Sequence, residues 1–168
     1  ALSALGARGA DIVDCRFHDG THTTATGGDG NGGLLSVTGD GSSGGVLRLE
    51  GNEFAGGYAE NEGGLLYLYE VDVTSTNNIY SEGVSEAGGG LIYFEANTGA
   101  FVGVNDTLSG GRSTKGGGLY VSKAAVRFEG GQVSHCRASR EGGFLKTLKA
   151  EFSGYNISVE DCSAAEGG

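Results

Sequence analysis

The chain has 168 residues, of which 35 are Gly and none is Pro, Met or Trp, and its formal net charge is −10. The missing Pro and the lack of a Gly-X-Y period exclude a collagen triple helix, and no apolar run is long enough for a membrane span. The acidic charge argues against nucleic acid as a partner. Because the chain begins at Ala1 and ends in Gly167-Gly168, we expect a single segment over residues 1–168 that is a processed chain or an excerpt of a longer one.

A Gly-Gly pair followed by large apolar residues recurs along the chain. The second glycines of successive pairs are 31, 26, 28, 25 and 25 residues apart. The pairs are Gly32-Gly33, Gly63-Gly64, Gly89-Gly90, Gly117-Gly118, Gly142-Gly143 and Gly167-Gly168. A period of this length indicates a solenoid, in which each repeat buries its apolar side chains against its neighbours.

Two further sets of apolar residues run in phase with the Gly-Gly pairs. One is a single apolar residue upstream of each pair, namely Ile12, Phe54, Ile79, Leu108, Val133 and Val159. The other is a short alternation, namely Leu47-x-Leu49, Val71-x-Val73, Val102-x-Val104 and Val126-x-Phe128. Gly and Asn separate these segments, whose shortness and period of two are typical of strands. The sequence therefore predicts an all-β, right-handed, single-stranded parallel β-helix, with three short strands per coil of about 25 residues and five to six coils.

The first repeats are longer than the others. The excess lies within residues 18–45, which are rich in Gly, Asp, Ser and Thr. We expect these residues to form polar loops that project from the corners of the solenoid.

The Gly-Gly-Leu/Ile step follows segments such as Val133-Ser-His-Cys136-Arg-Ala-Ser-Arg-Glu-Gly-Gly143. This combination resembles the repeats of the polymorphic outer-membrane proteins, which read roughly GGAI and FxxN and build the β-helical passengers of adhesins and autotransporters. The FxxN element departs from that pattern here, since Phe54 is followed by Gly57 and Val133 by Cys136. The resemblance implies a β-helix at the cell surface and transfers no catalytic residue.

Strict alternation after each Gly-Gly pair predicts an apolar and aromatic stripe on the outside of the solenoid. Its members are Leu65, Tyr67, Leu91, Tyr93, Leu119, Val121 and Phe144. A contiguous exposed patch of this kind indicates a lateral interface with another protein or with a saccharide. The alternatives are that the Gly-Gly bend turns these side chains away or that a segment of a longer chain covers them.

Cysteine and histidine offer two further candidate sites. Cys136 and Cys162 are one coil apart, a separation that allows a disulfide but equally suits two stacked buried thiols. Cys15, His18 and His22 have metal-ligand side chains at close spacing, although one short segment seldom wraps three ligands around zinc. The alternative for this group is a buried thiol and two loop histidines.

Two N-glycosylation sequons begin at Asn105 and Asn156, both in the turn set between strands. A secreted eukaryotic chain would carry glycans there. The alternative is an Asn ladder, in which side-chain amides bind neighbouring turns.

The acidic and basic residues bear on whether the chain is an enzyme or a structural protein. Polysaccharide-cleaving enzymes of this fold need converging carboxylates with a basic partner, and no such cluster recurs here; a nucleotide or other cofactor motif is also missing. We therefore expect a non-catalytic extracellular or cell-surface protein, part of a fibre, appendage or adhesin. It would associate with itself or with other extracellular proteins through the stripe or through uncapped coil ends. The alternative is a β-helix that binds or cleaves carbohydrate.

Overall fold

The computed structural model describes residues 2–7, 9–26, 28–39 and 45–167. Apart from one short 3₁₀ turn, Thr24–Thr26, its regular structure is all β. The first two coils contain β1 (Leu2–Ala7), β2 (Gly9–Val13), β3 (Arg16–His18), β4 (Thr21–His22), β5 (Leu35–Gly39), β6 (Val46–Glu50), β7 (Glu53–Ala55) and β8 (Tyr58–Ala59).

The remaining strands repeat the same order. They are β9 (Leu66–Tyr69), β10 (Asp72–Thr76), β11 (Ile79–Ser81), β12 (Val84–Ser85), β13 (Ile92–Glu95), β14 (Ala100–Val104), β15 (Thr107–Ser109), β16 (Arg112–Lys115), β17 (Leu119–Ser122), β18 (Ala125–Glu129), β19 (Gln132–Ser134), β20 (Arg137–Glu141), β21 (Leu145–Leu148), β22 (Glu151–Tyr155) and β23 (Ser158–Glu160).

Every strand pairs in parallel with the equivalent strand one coil away, which makes the molecule a parallel β-solenoid. Sheet A stacks β1-β5-β9-β13-β17-β21, sheet B stacks β2-β6-β10-β14-β18-β22, sheet C stacks β3-β7-β11-β15-β19-β23, and sheet D stacks β4-β8-β12-β16-β20. The first five coils therefore have four strands each rather than the three predicted, and the last has three among the described residues. The additional strand, in sheet D, spans only two to five residues and lacks the apolar alternation by which strands are detected in a sequence.

Part of the predicted loop region is regular structure. Residues 35–39 form strand β5 of sheet A, and Thr21–His22 form β4 of sheet D. Thr24 lies between these two strands, and its backbone N–H and its hydroxyl donate to Glu60 at 2.6 and 2.8 Å. These bonds fasten the loop to the next coil. Gly27 and residues 40–44 of the predicted loops lie outside the described residues.

The corners between sheets B and C use residues that tolerate a left-handed backbone. The six corner residues have φ between 50° and 70°, and they are Asp14, Gly51, Asn77, Asn105, Gly130 and Asn156. Asn and Asp enter this conformation because their short side chains bind the local backbone, and Gly enters it because it has no Cβ. The Gly and Asn turns of the sequence therefore mark real corners.

The core is a set of columns in which each side chain packs on its equivalent in the next coil. In sheet C, Phe54 stacks on Phe17 at 5.0 Å and on Tyr80 at 5.3 Å between ring centroids. Tyr80, not the predicted Ile79, points inward, and Phe17, not Ile12, begins the column. Ile79 is 48 % exposed. The tyrosine can be wholly buried because its hydroxyl is hydrogen bonded to Ser75 at 2.8 Å.

In sheet B, too, the inward residues differ from those of the predicted apolar alternation. Val73 and Phe101 are the residues in register with Leu47, so Val102 and Val104 point outward. Phe101 continues the column through Val126 to Phe152. Phe101 is fully buried and Val102 is 36 % exposed, although Val102 and Val104 fit the period of two equally well.

A buried ladder of amides lies inside the corner between sheets B and C. The backbone N–H of Asn52 donates to Asn78 Oδ1, and that of Asn78 donates to Asp106 Oδ1, each at 2.8 Å. Asn52 in turn accepts from the backbone N–H of Cys15 at 2.9 Å. Asn78 further donates to Leu49 O and to Ser75 Oγ. These bonds satisfy polar groups that burial would otherwise make costly.

The ladder reaches a carboxyl group at Asp106. Asp106 is 1 % exposed, and its Oδ2 has no hydrogen-bond partner among the described residues. Burial raises the pKa of Asp106 from 3.8 to about 6, against the opposing influence of Ser75 and Asn78. A charge at this position is therefore destabilising near neutral pH.

Replacing Asp106 by Asn should stabilise the fold at pH 7 by about 3 kcal/mol, the free energy that corresponds to a pKa rising from 3.8 to about 6 on folding. Because the folded protein holds this proton more tightly, wild-type stability should fall as the pH rises through that window. The variant should lack this fall. Urea denaturation between pH 3.5 and 7.5 measures both effects.

The matched control is Asp11→Asn, since Asp11 is an exposed carboxyl on β2 of sheet B, one of the two sheets that meet at the corner of Asp106. Its midpoint should change little. Equal midpoints for the wild type and Asp106→Asn at pH 7 would show that the buried carboxyl carries no cost.

Candidate interaction surfaces

Three tyrosines form a stacked ladder on the outer face of sheet A. The ring centroids of Tyr67 and Tyr93 are 5.3 Å apart and those of Tyr93 and Tyr120 are 5.2 Å apart, with the planes within 11° of parallel. Tyr69 lies beside Tyr67 at 6.5 Å. The register places one ring on each of β9, β13 and β17, so the ladder runs along the solenoid axis. We call Tyr67, Tyr93 and Tyr120 the tyrosine ladder.

The rest of the predicted outer stripe lies in the core. The prediction is wrong for five of its seven residues, of which none is more than 9 % exposed; they are Leu65, Leu91, Leu119, Val121 and Phe144. Leu65 and Leu91 precede their strands and face inward at the corner, because the two-residue alternation holds only within a strand. Only Tyr67 and Tyr93 of the stripe point outward.

The error at Leu119 and Val121 comes from a run of three glycines. The residue with positive φ is Gly116, so Gly118, rather than Leu119, is the equivalent of Leu91. Leu119 is consequently in register with Ile92 and faces inward, while Tyr120 is in register with Tyr93 and faces outward. The matching spacing of Tyr67, Tyr93 and Tyr120 was the signal in the sequence that fixes this register.

An ion-paired network borders one side of the tyrosine ladder. The hydroxyl of Tyr93 donates to Glu95 at 2.6 Å, and Lys123 Nζ donates to the other carboxylate oxygen at 2.7 Å. Burial by itself would raise the pKa of Glu95, but the hydrogen bonds from Lys123 and Tyr93 outweigh it and lower the pKa. Glu95 is therefore a fixed carboxylate that holds the central ring in place.

A second carboxyl group, that of Glu62, borders the other side. Glu62 pairs through its backbone with Gly88, across the corner from the ladder. Burial, followed by the charge of Glu95, raises the pKa of Glu62 to about 7. Within the described residues its carboxyl accepts no hydrogen bond and forms no ion pair. Burial, with the nearby charge of Glu62, also raises the pKa of Tyr67 to about 12, so its hydroxyl keeps its proton.

The last coil is a second candidate surface. Its strands β21, β22 and β23 pair on one side only. Val159 continues the inward column of Val133, yet it is 48 % exposed where Val133 is 1 % exposed. A hollow of about 350 Å³ opens there, lined by Phe144, Leu145, Val159, Asp161, Cys162 and Gly167. Inward apolar side chains are thus uncovered at this end.

The three cysteines are free thiols in the structure, so the candidate disulfide between Cys136 and Cys162 is not formed. Both thiols point toward the backbone carbonyl two residues earlier, as expected for stacked equivalents. Burial, together with the adjacent Cys162, raises the pKa of Cys136 to about 12. Cys15 belongs to a different column, that of Asn52 and the amide ladder.

The candidate metal ligands are not brought together. Cys15 Sγ donates to Val13 O, His18 faces Glu53, and His22 is hydrogen bonded to Asn31 O at 2.6 Å. His18 ends a strand of sheet C and His22 a strand of sheet D, so a corner separates them. The part of the chain that the structure describes contains no cluster of His, Cys, Asp or Glu suited to a metal ion.

The two sequon asparagines share one corner of the solenoid. Asn105 and Asn156 have φ of 54° and 51°, and both are exposed. The amide ladder anticipated as the alternative exists, but it uses Asn52 and Asn78, one residue further along the corner, and neither sequon asparagine. Glycosylation of Asn105 and Asn156 stays a prediction.

Comparison with protein families, with curated proteins and with solved structures gave no match. The structure confirms the parallel β-solenoid, and no match confirms the resemblance of the repeats to those of polymorphic outer-membrane proteins. Within the described residues, no helix has the length and apolar character needed to cross a bilayer.

The cysteines should differ in their reaction with a thiol reagent such as DTNB. Cys15 and Cys162, which are partly exposed, should react in the native protein, whereas Cys136, buried and held as a thiol, should react only after unfolding. Three thiols should then be counted in denaturant. A count of one would show instead that Cys136 and Cys162 form a disulfide, and the Cys162→Ser variant would identify the partners.

Proposed function

We propose that the protein is a non-catalytic structural segment of an extracellular or cell-surface fibre, and that it assembles end to end with further copies of itself. The observation that carries this proposal is the last coil. Its strands have free edges, and its inward column at Val159 is half exposed. Open edges and uncovered apolar side chains favour the addition of another coil, whether of the same chain or of another copy.

The first coil offers a matching surface. Ala10, Ile12 and Phe17 are only partly buried and pack on the core from one side. A second copy that continues the sheets in register would place Ile12 over Gly154 and Phe17 over Val159, since these residues share columns. The large isoleucine would thus face the small glycine. A head-to-tail contact of this kind does not close, so it builds a filament.

The use of the charged residues supports a structural function. Glu95 pairs with Lys123, Glu141 with Lys146, and Arg16 with Glu53, all on the outside of the solenoid. Most of the interior is occupied by apolar columns and the amide ladder. An extracellular location is proposed from the resemblance of the repeats and from the two exposed sequons.

Electron microscopy and light scattering of the purified chain test this proposal. We expect filaments whose axial repeat is about 30 Å, the length of six coils at about 4.8 Å each. Val159→Asp should abolish assembly because it places a charge in the contact, and the variant should remain folded. Val102→Asp is the control, since Val102 is 36 % exposed on the side of the solenoid.

A wild-type chain that stays monomeric at high concentration would refute end-to-end assembly. Equal loss of assembly in both variants would show that the contact lies on the side of the solenoid rather than at its end.

A further inference from the structure

We propose that the outer face of sheet A binds an extended polysaccharide, which lies along the solenoid axis over the tyrosine ladder. The site consists of Tyr67, Tyr93 and Tyr120 with Glu62 at their border. This binding is independent of end-to-end assembly, because the tyrosine ladder lies on the side of the solenoid and the contact proposed above lies at its ends.

The repetition of the site indicates a linear polymer. The same side chain recurs once per coil at 5.3 and 5.2 Å, on three successive strands in register. Because Tyr93 is 6 % exposed, a ligand would touch Tyr67 and Tyr120 on either side of it, two coil steps apart, and only an extended ligand spans both. A pyranose unit in an extended chain has about the length of one such step.

The chemistry of the exposed atoms indicates a sugar. The rings stack on one another, so their faces are occupied. The hydroxyl of Tyr93 is held by Glu95, and the partly exposed rings are those of Tyr67 and Tyr120. Such a surface combines apolar ring edges with hydrogen-bonding groups, and a tyrosine hydroxyl both donates and accepts. A polysaccharide offers apolar C–H groups to the ring edges and hydroxyls to the hydrogen-bonding groups. Tyr67 and Tyr120, at the ends of the ladder, are partly exposed and would make most of the contact.

Glu62 supplies an acceptor that the protein itself does not use. Its carboxyl group has no partner among the described residues, whereas the neighbouring Glu95 and Glu141 are both paired with lysines. A half-buried carboxyl group of this kind gains when a ligand donates hydrogen bonds to it. Sugar hydroxyls or the ammonium group of an amino sugar would serve.

The charge of the face selects among polysaccharides. Glu95 borders the ladder as a carboxylate, Glu62 adds a second carboxyl group whose pKa is about 7, and the formal net charge of the chain is −10. Like charges across a contact oppose binding. The ligand is therefore a neutral or amino polysaccharide and not a uronic-acid polymer.

Sedimentation with insoluble polysaccharides tests the site. The probes are cellulose and chitin, with soluble β-glucan and polygalacturonate compared by affinity electrophoresis. The wild type should be retained by at least one neutral or amino polymer and not by polygalacturonate. The double variant Tyr67→Ser/Tyr120→Ser should bind at least tenfold more weakly, and Glu62→Gln severalfold more weakly. Tyr93 is left intact because it is 6 % exposed and supports the fold.

The control is Tyr155→Ser, since Tyr155 is 63 % exposed on sheet B, away from the ladder. It should bind as the wild type does. The proposal would be overturned if the double variant bound as strongly as the wild type. It would also be overturned if neither the wild type nor any variant bound any of the polymers. A double variant that changes the oligomeric mass instead would show that a second copy covers the ladder. Performing the assay in the Val159→Asp background separates binding from filament formation.

Discussion

The structure depends on parallel coils that stack in register. In such a stack the nearest neighbour of each side chain is its equivalent one coil away, and contacts between residues close in sequence matter less. A single coil cannot bury its apolar side chains, so stability comes from the columns. The absence of Pro from the inner strands follows from the same constraint, because each of them must donate hydrogen bonds to a neighbouring coil throughout its length.

Stacking of equivalents favours some residue types and penalises others. Aromatic rings stack well on their own kind, as Phe17, Phe54 and Tyr80 do inside the solenoid and the tyrosine ladder does outside it. Amides also repeat well, because each has both donors and acceptors, and Asn52 and Asn78 pass hydrogen bonds from coil to coil. A carboxylate cannot pass such a bond on, since it only accepts. The ladder ends at Asp106, whose Oδ2 has no hydrogen-bond partner among the described residues, and the equivalent residue of the next coil is Gly131, which has no side chain.

The sequence predicted the architecture because periodicity is a property of the whole chain. Gly-Gly pairs at a nearly constant spacing were enough to predict parallel stacked coils. The register within each coil was harder, because it depends on single residues. Ile79 is more apolar than Tyr80, yet Tyr80 points inward, where it stacks on Phe54 and its hydroxyl is hydrogen bonded to Ser75. The three glycines at 116–118 allow two alignments, which differ in the face given to Leu119 and Tyr120.

The candidate sites show the same difference between the period of the repeat, which the sequence predicts well, and the register of single residues, which it predicts less well. Tyr67 and Tyr93 were predicted to point outward because they lie within strands, where alternation holds. Leu65 and Leu91 were misplaced because they lie at a corner, where alternation fails. Cys15 follows Ile12 by three residues, as Cys136 follows Val133, but the structure places Gly20 at the position of Cys136 and puts Cys15 in the column of Asn52. Because short strands are joined by corners at which the alternation breaks, counting residues along the sequence can misplace a residue by one or two positions.

The two candidate surfaces differ in what a repeated structure can offer to a partner. The ends of a solenoid present free strand edges and open columns, which only another stack of coils can complete. The sides present the same side chain at each step, which matches partners that repeat along a line. A solenoid that is continued at its ends keeps its sides free, and each added coil can lengthen the lateral surface without changing it. Assembly at the ends and binding along the sides are therefore compatible, and the first would increase the second through multivalency.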